Sequence, residues 1–163
     1  MSMESRQIRA ATVADAPVLL RIWERSVRAT HDFLQPADIE ELRPFVATAL
    51  GSGALEVWVL ATSAGTPLGW LGLAEAHIEA LFVAPEARGT GGGRQLVEYV
   101  QARRPGALTV DVNEQNPAAT AFYARLGFEV SGRSPHDSAG RPFPILHLRR
   151  SPGAHVVVGD TAT

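Results

Sequence analysis

The sequence predicts an α/β protein of the α+β type, and two observations carry that prediction. Apolar strand-like runs are interspersed with stretches of helical periodicity, about seven of the first and about four of the second. Two of the strand-like runs, Leu55 to Ala61 and Pro67 to Ala74, follow one another through the turn residues Ser63-Ala64-Gly65-Thr66. The order is therefore not the strict alternation of a doubly wound parallel sheet.

Taken in order, Ile8 to Ala11 is a short apolar run that reads as a first strand. Thr12 offers an N-cap, with Asp15 three residues on, and Leu19, Ile22, Trp23 and Val27 then keep one helical face apolar. The pattern breaks around Thr30 to Pro36, and a second helix is expected from Ala37 to about Leu50. After the two adjacent strands, Ile78 to Val83 is a further strand, bounded by Pro85. Leu96, Val97 and Val100 mark a helix ending near Arg103-Arg104-Pro105-Gly106, and Leu108 to Val112 is a strand. Asn116-Pro117 opens the next helix, with Asn as N-cap and Pro in the first helical position. Gly127 sits where a residue of positive φ ends a helix, and Phe128 to Val130 and Pro144 to Leu148 close the chain as strands. Residues 1–150 read as one domain; 151–163 carry no partner pattern and are expected to be a disordered tail.

Composition narrows the function. The chain has 163 residues, 45% hydrophobic and 20% charged, with net charge −2. No basic field is available for nucleic acid or for anionic lipid. All 15 cationic side chains are Arg and none is Lys, which excludes a Schiff-base or P-loop lysine. With no Cys there is neither a disulfide nor a thiol nucleophile, and no metal site is expected. The polar start Met1-Ser2-Met3-Glu4-Ser5-Arg6 and the lack of a long apolar stretch predict a cytoplasmic protein without a membrane span.

The segment Arg88-Gly89-Thr90-Gly91-Gly92-Gly93-Arg94 follows a strand and a Pro-containing turn, and it runs into a helix. Backbone N–H groups at a helix start lack internal partners and carry the positive end of the helix dipole. Glycines let an anion approach that backbone, and Arg88 and Arg94 add charge at either end, so a diphosphate fits. A turn of plain flexible glycines is the competing reading. A P-loop is excluded because no Gly-Lys-Ser/Thr follows. For a dinucleotide fingerprint, Gly89 and Gly91 give G-x-G, with Asp111 about 20 residues further on. Against it, Arg94 holds the third glycine position and Ala84 to Arg88 separate strand from glycines.

These residues resemble the GCN5-related N-acetyltransferase (GNAT) family. Its Arg/Gln-x-x-Gly-x-Gly/Ala signature is matched by Arg88, Gly91 and Gly93, and its Asn-x-x-Ala-x-x-x-Tyr-x-x-x-Gly-Phe signature by Asn116, Ala119, Tyr123, Gly127 and Phe128. The two come in order and are separated by one strand. The resemblance spans roughly Ile8 to Arg150 and implies a mixed, mostly antiparallel twisted sheet of about seven strands flanked by about four helices. It also implies acetyl-coenzyme A as co-substrate. The backbone of Leu81, Phe82 and Val83 would pair with the pantetheine arm, residues Arg88 to Arg94 would hold the pyrophosphate, and Asn116 would contact the cofactor. One departure is Gly92, where the family usually has a bulky apolar anchor; a looser loop is the expected consequence.

Direct transfer needs an unprotonated amine, a stabilised oxyanion and a proton for the departing thiolate. The resemblance makes Tyr123 the acid. For the base, Glu79 shares strand parity with Leu81 and Val83 and would have a raised pKa if buried. Asp111 and His77 are the alternatives, at positions where other relatives carry a glutamate, and a water chain is a further one. Trp23, His31 and Phe33 fall in the helix–helix region where the family builds its acceptor pocket. The expected function is transfer of an acetyl group to a primary amine of a small molecule or protein; the competing reading is a catalytically silent acyl-coenzyme A-binding module. Many relatives are homodimers, and the sequence shows no seam.

Overall fold

A computed structural model of the chain describes residues 5–30 and 34–153. Its strands are β1 (Arg6–Ala10), β2 (Glu56–Thr62), β3 (Pro67–Ala74), β4 (His77–Val83), β5 (Leu108–Asn113), β6 (Glu129–Ser134) and β7 (Ile145–Arg150). The helices are α1 (Ala16–Thr30), α2 (Pro36–Ser52), α3 (Gly92–Ala102) and α4 (Pro117–Arg125). The strands form one seven-stranded sheet in the order β1-β2-β3-β4-β5-β7-β6. β4 and β5 pair in parallel, His77 opposite Thr109 and Ile78 opposite Val110; β1–β2, β2–β3, β5–β7 and β6–β7 are antiparallel. The expected mixed, mostly antiparallel sheet with four helices is what the chain forms, and a dinucleotide-type parallel sheet is excluded. Among the described residues no helix is long and apolar enough to cross a membrane.

The contacts divide the chain into two compact units, residues 1–75 with 79–100, and residues 76–78 with 101–163. In the first, the apolar face of α1 (Leu19, Ile22, Trp23 and Val27) packs with Ile39 of α2, Val59 of β2 and Trp70 of β3. The buried Trp70 indole N–H would be costly unpaired, and it donates to the Leu19 carbonyl at 3.0 Å. Glu24 of α1 accepts from Arg43 of α2 at 2.6 and 3.0 Å, tying the two helices at their rim.

Thr12 opens a short 3-10 turn, Val13–Asp15, ahead of α1. The Asp15 carboxylate accepts from the Thr12 N–H at 2.7 Å and from both Arg9 guanidinium nitrogens at 2.8 and 3.0 Å. The Arg9 hydrogen bonds hold its pKa well below the usual carboxylate range. With Arg9 partly solvated, Asp15→Asn should cost only about 1 kcal/mol at neutral pH. The folded pKa is depressed, so this contribution is fully present above the unfolded value of about 3.9 and fades as pH falls below it. Urea unfolding of both proteins should show the difference shrinking below about pH 4; a constant difference down to the acid limit would contradict the ion pair's role.

In the second unit, Leu108, Val110 and Val112 of β5 are buried, while Thr109, Asp111 and Asn113 alternate onto the other, more open face. Asn116 caps α4, its Oδ1 accepting from Ala119 N–H at 3.1 Å. At the other end Gly127 has φ of 94°, and Phe128 N–H and Gly127 N–H reach back to the Tyr123 and Ala124 carbonyls. β6 extends past the expected Val130 to Ser134, across a register shift between Val130 and Gly132. Its Gly-Arg-Ser end has little strand propensity of its own; pairing with β7 imposes the conformation.

Candidate active site

In the first unit the chain leaves β4 at Val83, makes a 3-10 turn over Pro85–Ala87 and enters α3 at Gly92. Gly89 and Gly91 take φ of +77° and +89°, and a Cβ at either would meet nothing within 4 Å. Both glycines are thus required by backbone conformation, and the loop between them is open. Arg88, Thr90, Gly91 and Arg94 are exposed, and the α3 helix start lies within the same segment. An exposed, glycine-bearing backbone thus runs into the start of α3, with the guanidiniums of Arg88 and Arg94 on either side of it.

Gly92 behaves differently from expectation. It is buried, and a Cβ there would lie 2.7 Å from Leu60 Cδ2, with Arg6 Nη1 at 3.6 Å and Val83 Cγ1 at 3.9 Å. The space that an apolar anchor would need is already taken by Leu60, which is wholly buried on β2. The loop is held further by Arg6 of β1, which donates to Thr90 Oγ1 at 2.7 Å and to Gln95 Oε1 at 3.2 Å. Thr90 Oγ1 in turn donates to the Ala87 carbonyl at 2.5 Å. The cause given for a looser loop is therefore absent: the anchor comes from neighbouring strands. Replacing Arg6 with Ala removes these bonds, worth about 1 kcal/mol net, so amide exchange at residues 90–93 should quicken by roughly fivefold. Unchanged exchange would show that Arg6 does not restrain the loop.

β4 carries Leu81, Phe82 and Val83, all half-buried, with Phe82 against Trp70 at 5.5 Å between ring centres. Glu79 is exposed, so the burial on which its reading as the base depended does not occur. Trp23, expected at an acceptor pocket, is a core residue only 3% exposed. His31 and Phe33 lie outside the described residues.

In the second unit Tyr123 is buried and is flanked by Phe122 and Phe128 in edge-on contacts at 4.9 and 5.1 Å. Burial pushes its phenol pKa up, so the hydroxyl stays protonated throughout the working range. Asn116, 9% exposed, spends its Oδ1 on the α4 cap.

The open face of this unit also joins residues that sequence reading had treated separately. His77 Nε2 faces Asp111 Oδ2 at 3.6 Å, and Asp111 Oδ1 meets His147 Nδ1 at 2.6 Å. His147 Nε2 meets Ser134 Oγ at 2.7 Å, and His77 Nδ1 meets Thr109 Oγ1 at 2.6 Å. Of these, Thr109, Ser134 and His147 were not singled out as site residues. The available signal was the alternation of polar with buried apolar residues along β5 and β7, which marks one open face. Among the described residues no group of three or more His, Cys, Asp or Glu side chains is arranged to hold a metal ion.

A seven-stranded mixed sheet with a glycine loop leading into α3, an Asn-capped α4 and a buried tyrosine on it defines an acyltransferase of the GNAT class. The Acetyltransferase (GNAT) domain profile matches residues 53–130. The chain is 44% identical over 141 residues to the peptidyl-lysine N-acetyltransferase YjaB of Salmonella typhimurium, covering 86% of this chain and 95% of that protein. The solution structure of apo-form YjaB from Escherichia coli superposes with a TM-score of 0.82 at 39% identity, covering 92% of this chain and 99% of that one. The structure of yncA from Salmonella typhimurium, solved with acetyl-CoA, shares the fold at 21% identity and a TM-score of 0.65, over 94% and 98% of the two chains. The chain belongs to the GNAT acetyltransferase family. It is an acetyl-coenzyme A-dependent N-acetyltransferase whose acceptor is an amine.

Proposed function

We propose that the acceptor is the ε-amine of lysine in a protein or peptide. The observation that carries this reading is the 44% identity, over nearly the whole of its length, to a peptidyl-lysine N-acetyltransferase. Residues 1–150 are the functional domain on this reading.

Each unit has its own part. In the first, the backbone of residues 89–93 and the guanidiniums of Arg88 and Arg94 hold the pyrophosphate of acetyl-coenzyme A, and the strand backbone of Leu81, Phe82 and Val83 takes the pantetheine amides. Support comes from the two positive-φ glycines, the open space above them and the α3 helix start. When bound, the thioester supplies the electrophilic carbonyl. In the second unit, Asn116 contacts the cofactor arm and Tyr123, whose phenol burial keeps protonated before the step, gives its proton to the thiolate.

Among the candidate bases, Glu79 is exposed on β4, whereas His77 and Asp111 face one another on the open side of the second unit. We assign proton removal to that pair. A substrate ammonium would be held by the Asp111 carboxylate and deprotonated by His77.

Thiol release from acetyl-coenzyme A with lysine-containing peptides, free amino acids, polyamines and aminoglycosides as acceptors tests the assignment. The chain contains no lysine, so every acetyl-lysine detected afterwards comes from the acceptor. Selective turnover of lysine peptides supports the reading; turnover of a small amine alone, with peptides inert, overturns it.

A further inference from the structure

Asp111 lies on an exposed strand face, where a lone carboxylate would sample several rotamers. It does not stand alone. His147 pairs with it across β5 and β7, at the register position directly opposite. A carboxylate only accepts hydrogen bonds, so His147 Nδ1 carries the hydrogen in the 2.6 Å contact with Asp111 Oδ1. In the neutral ring Nε2 then accepts from the Ser134 hydroxyl at 2.7 Å. The ring is also seated sterically. It lies against Gly132 at the register shift of β6, where a Cβ would stand 3.4 Å from His147 Cδ2. One hydroxyl and one glycine thus fix the imidazole, and the imidazole fixes one oxygen of Asp111.

The other oxygen is left facing His77. His77 is oriented from its far side by Thr109, at 2.6 Å from Nδ1, while its Nε2 stands 3.6 Å from Asp111 Oδ2. That gap is longer than a hydrogen bond and short enough for charge attraction once a proton arrives. We propose that His147, set by Ser134, is a positioning residue that holds Asp111 toward His77, and so poises the pair to take the proton from the acceptor ammonium. The proposal rests on the reading of His77 and Asp111 given above.

The step balances simply. The acceptor ammonium N–H bond breaks, the proton goes to His77 Nε2, and the imidazolium is stabilised by Asp111. The freed nitrogen lone pair attacks the thioester carbonyl carbon, the C–S bond breaks, and the thiolate takes the Tyr123 proton. The new amide nitrogen sheds its second proton to solvent as the C–S bond breaks, the imidazolium proton follows it, and Tyr123 is reprotonated from solvent, so that one proton is released per turnover. Among the described residues, the other charged groups that strand alternation places with Asp111 and His147 are Arg149 on β7 and Glu129 of β6, which lies opposite Arg149; Glu79 follows His77 two residues later along β4.

The test separates a positioning role from a merely structural one by conservative rescue. In His147→Asn the side-chain amide nitrogen replaces Nδ1 and can still donate to Asp111; in His147→Gln it replaces Nε2 and cannot. With a lysine peptide as acceptor, His147→Gln should lose at least tenfold in kcat/KM and shift the acidic limb of its pH profile, and His147→Asn should stay within about threefold of wild type. Acetyl-coenzyme A affinity and melting temperature should be unchanged in both. With an aromatic amine, already neutral at neutral pH, the loss in His147→Gln should nearly vanish. The proposal is overturned by a wild-type profile in His147→Gln, by equal losses in both variants, by an equal loss with the aromatic amine, or by an acetyl ester on Ser134 in the intact-protein mass. Failure of wild-type enzyme to acetylate any lysine peptide would instead strike the acceptor assignment, and the aromatic-amine arm then still tests the relay.

Discussion

Tyr123→Phe should lower kcat by about two orders of magnitude while leaving acetyl-coenzyme A affinity within about threefold. The substitution removes one oxygen and leaves the ring. The edge-on contacts with Phe122 and Phe128 are made by that ring, so the packing that closes α4 against Phe128 persists. What disappears is a proton donor. Burial raises the phenol pKa, and the protonated form is the one that an acid uses. Tyr123 therefore stays protonated through the neutral range. Turnover should fall by a similar factor across the pH range, with the positions of both limbs unmoved. Steady-state kinetics across pH, with cofactor binding measured separately, decides it; an unchanged kcat would remove Tyr123 from the chemistry.

How far this site was legible follows from how far apart its parts lie in the chain. The glycine loop, the Asn116 cap and Gly127 are local devices: each depends on residues within one turn, and each could be read directly. The order of strands and helices followed from periodicity for the same reason. His147 and Asp111 are 36 residues apart and Ser134 and His147 are 13 apart, and they meet only because β7 lies between β5 and β6 in a register shifted at Gly132. A sequence reading has no access to that register. Gly92 shows the same limit: its missing side chain suggested a loose loop, yet Leu60 and Arg6, from other strands, occupy the space and hold the loop. Trp23 was ambiguous between core and pocket, and only packing against Leu19, Val59 and Trp70 settles it as core. For Glu79, strand parity was right but parity does not give burial, and the side chain is exposed.

Gly69 provides the largest structural test of the cofactor strand. A Cβ at this buried β3 position would lie 2.7 Å from the Phe82 carbonyl oxygen, 3.2 Å from Val83 Cα and 3.3 Å from Val83 Cγ2. Two of these atoms are backbone, so the clash cannot be relieved by a rotamer change; the end of β4 has to move. Gly69→Val should destabilise the fold by about 2–3 kcal/mol. If the backbone of Leu81 to Val83 pairs with the pantetheine arm, the same displacement should weaken acetyl-coenzyme A binding by at least tenfold, which is about 1.4 kcal/mol. Gly72→Ala on the same strand is the internal comparison. There the first atom met is Leu55 Cδ1 at 3.1 Å, the tip of a flexible side chain, with Trp70 Cζ3 next at 3.4 Å. That variant should lose less stability and keep its cofactor affinity, because relief comes from side-chain movement rather than from the backbone of β4. Calorimetric binding at a temperature where both variants are folded separates the two effects. Equal affinities in Gly69→Val and wild type would mean that the cofactor does not depend on the backbone of this strand, and the pantetheine would have to be placed elsewhere.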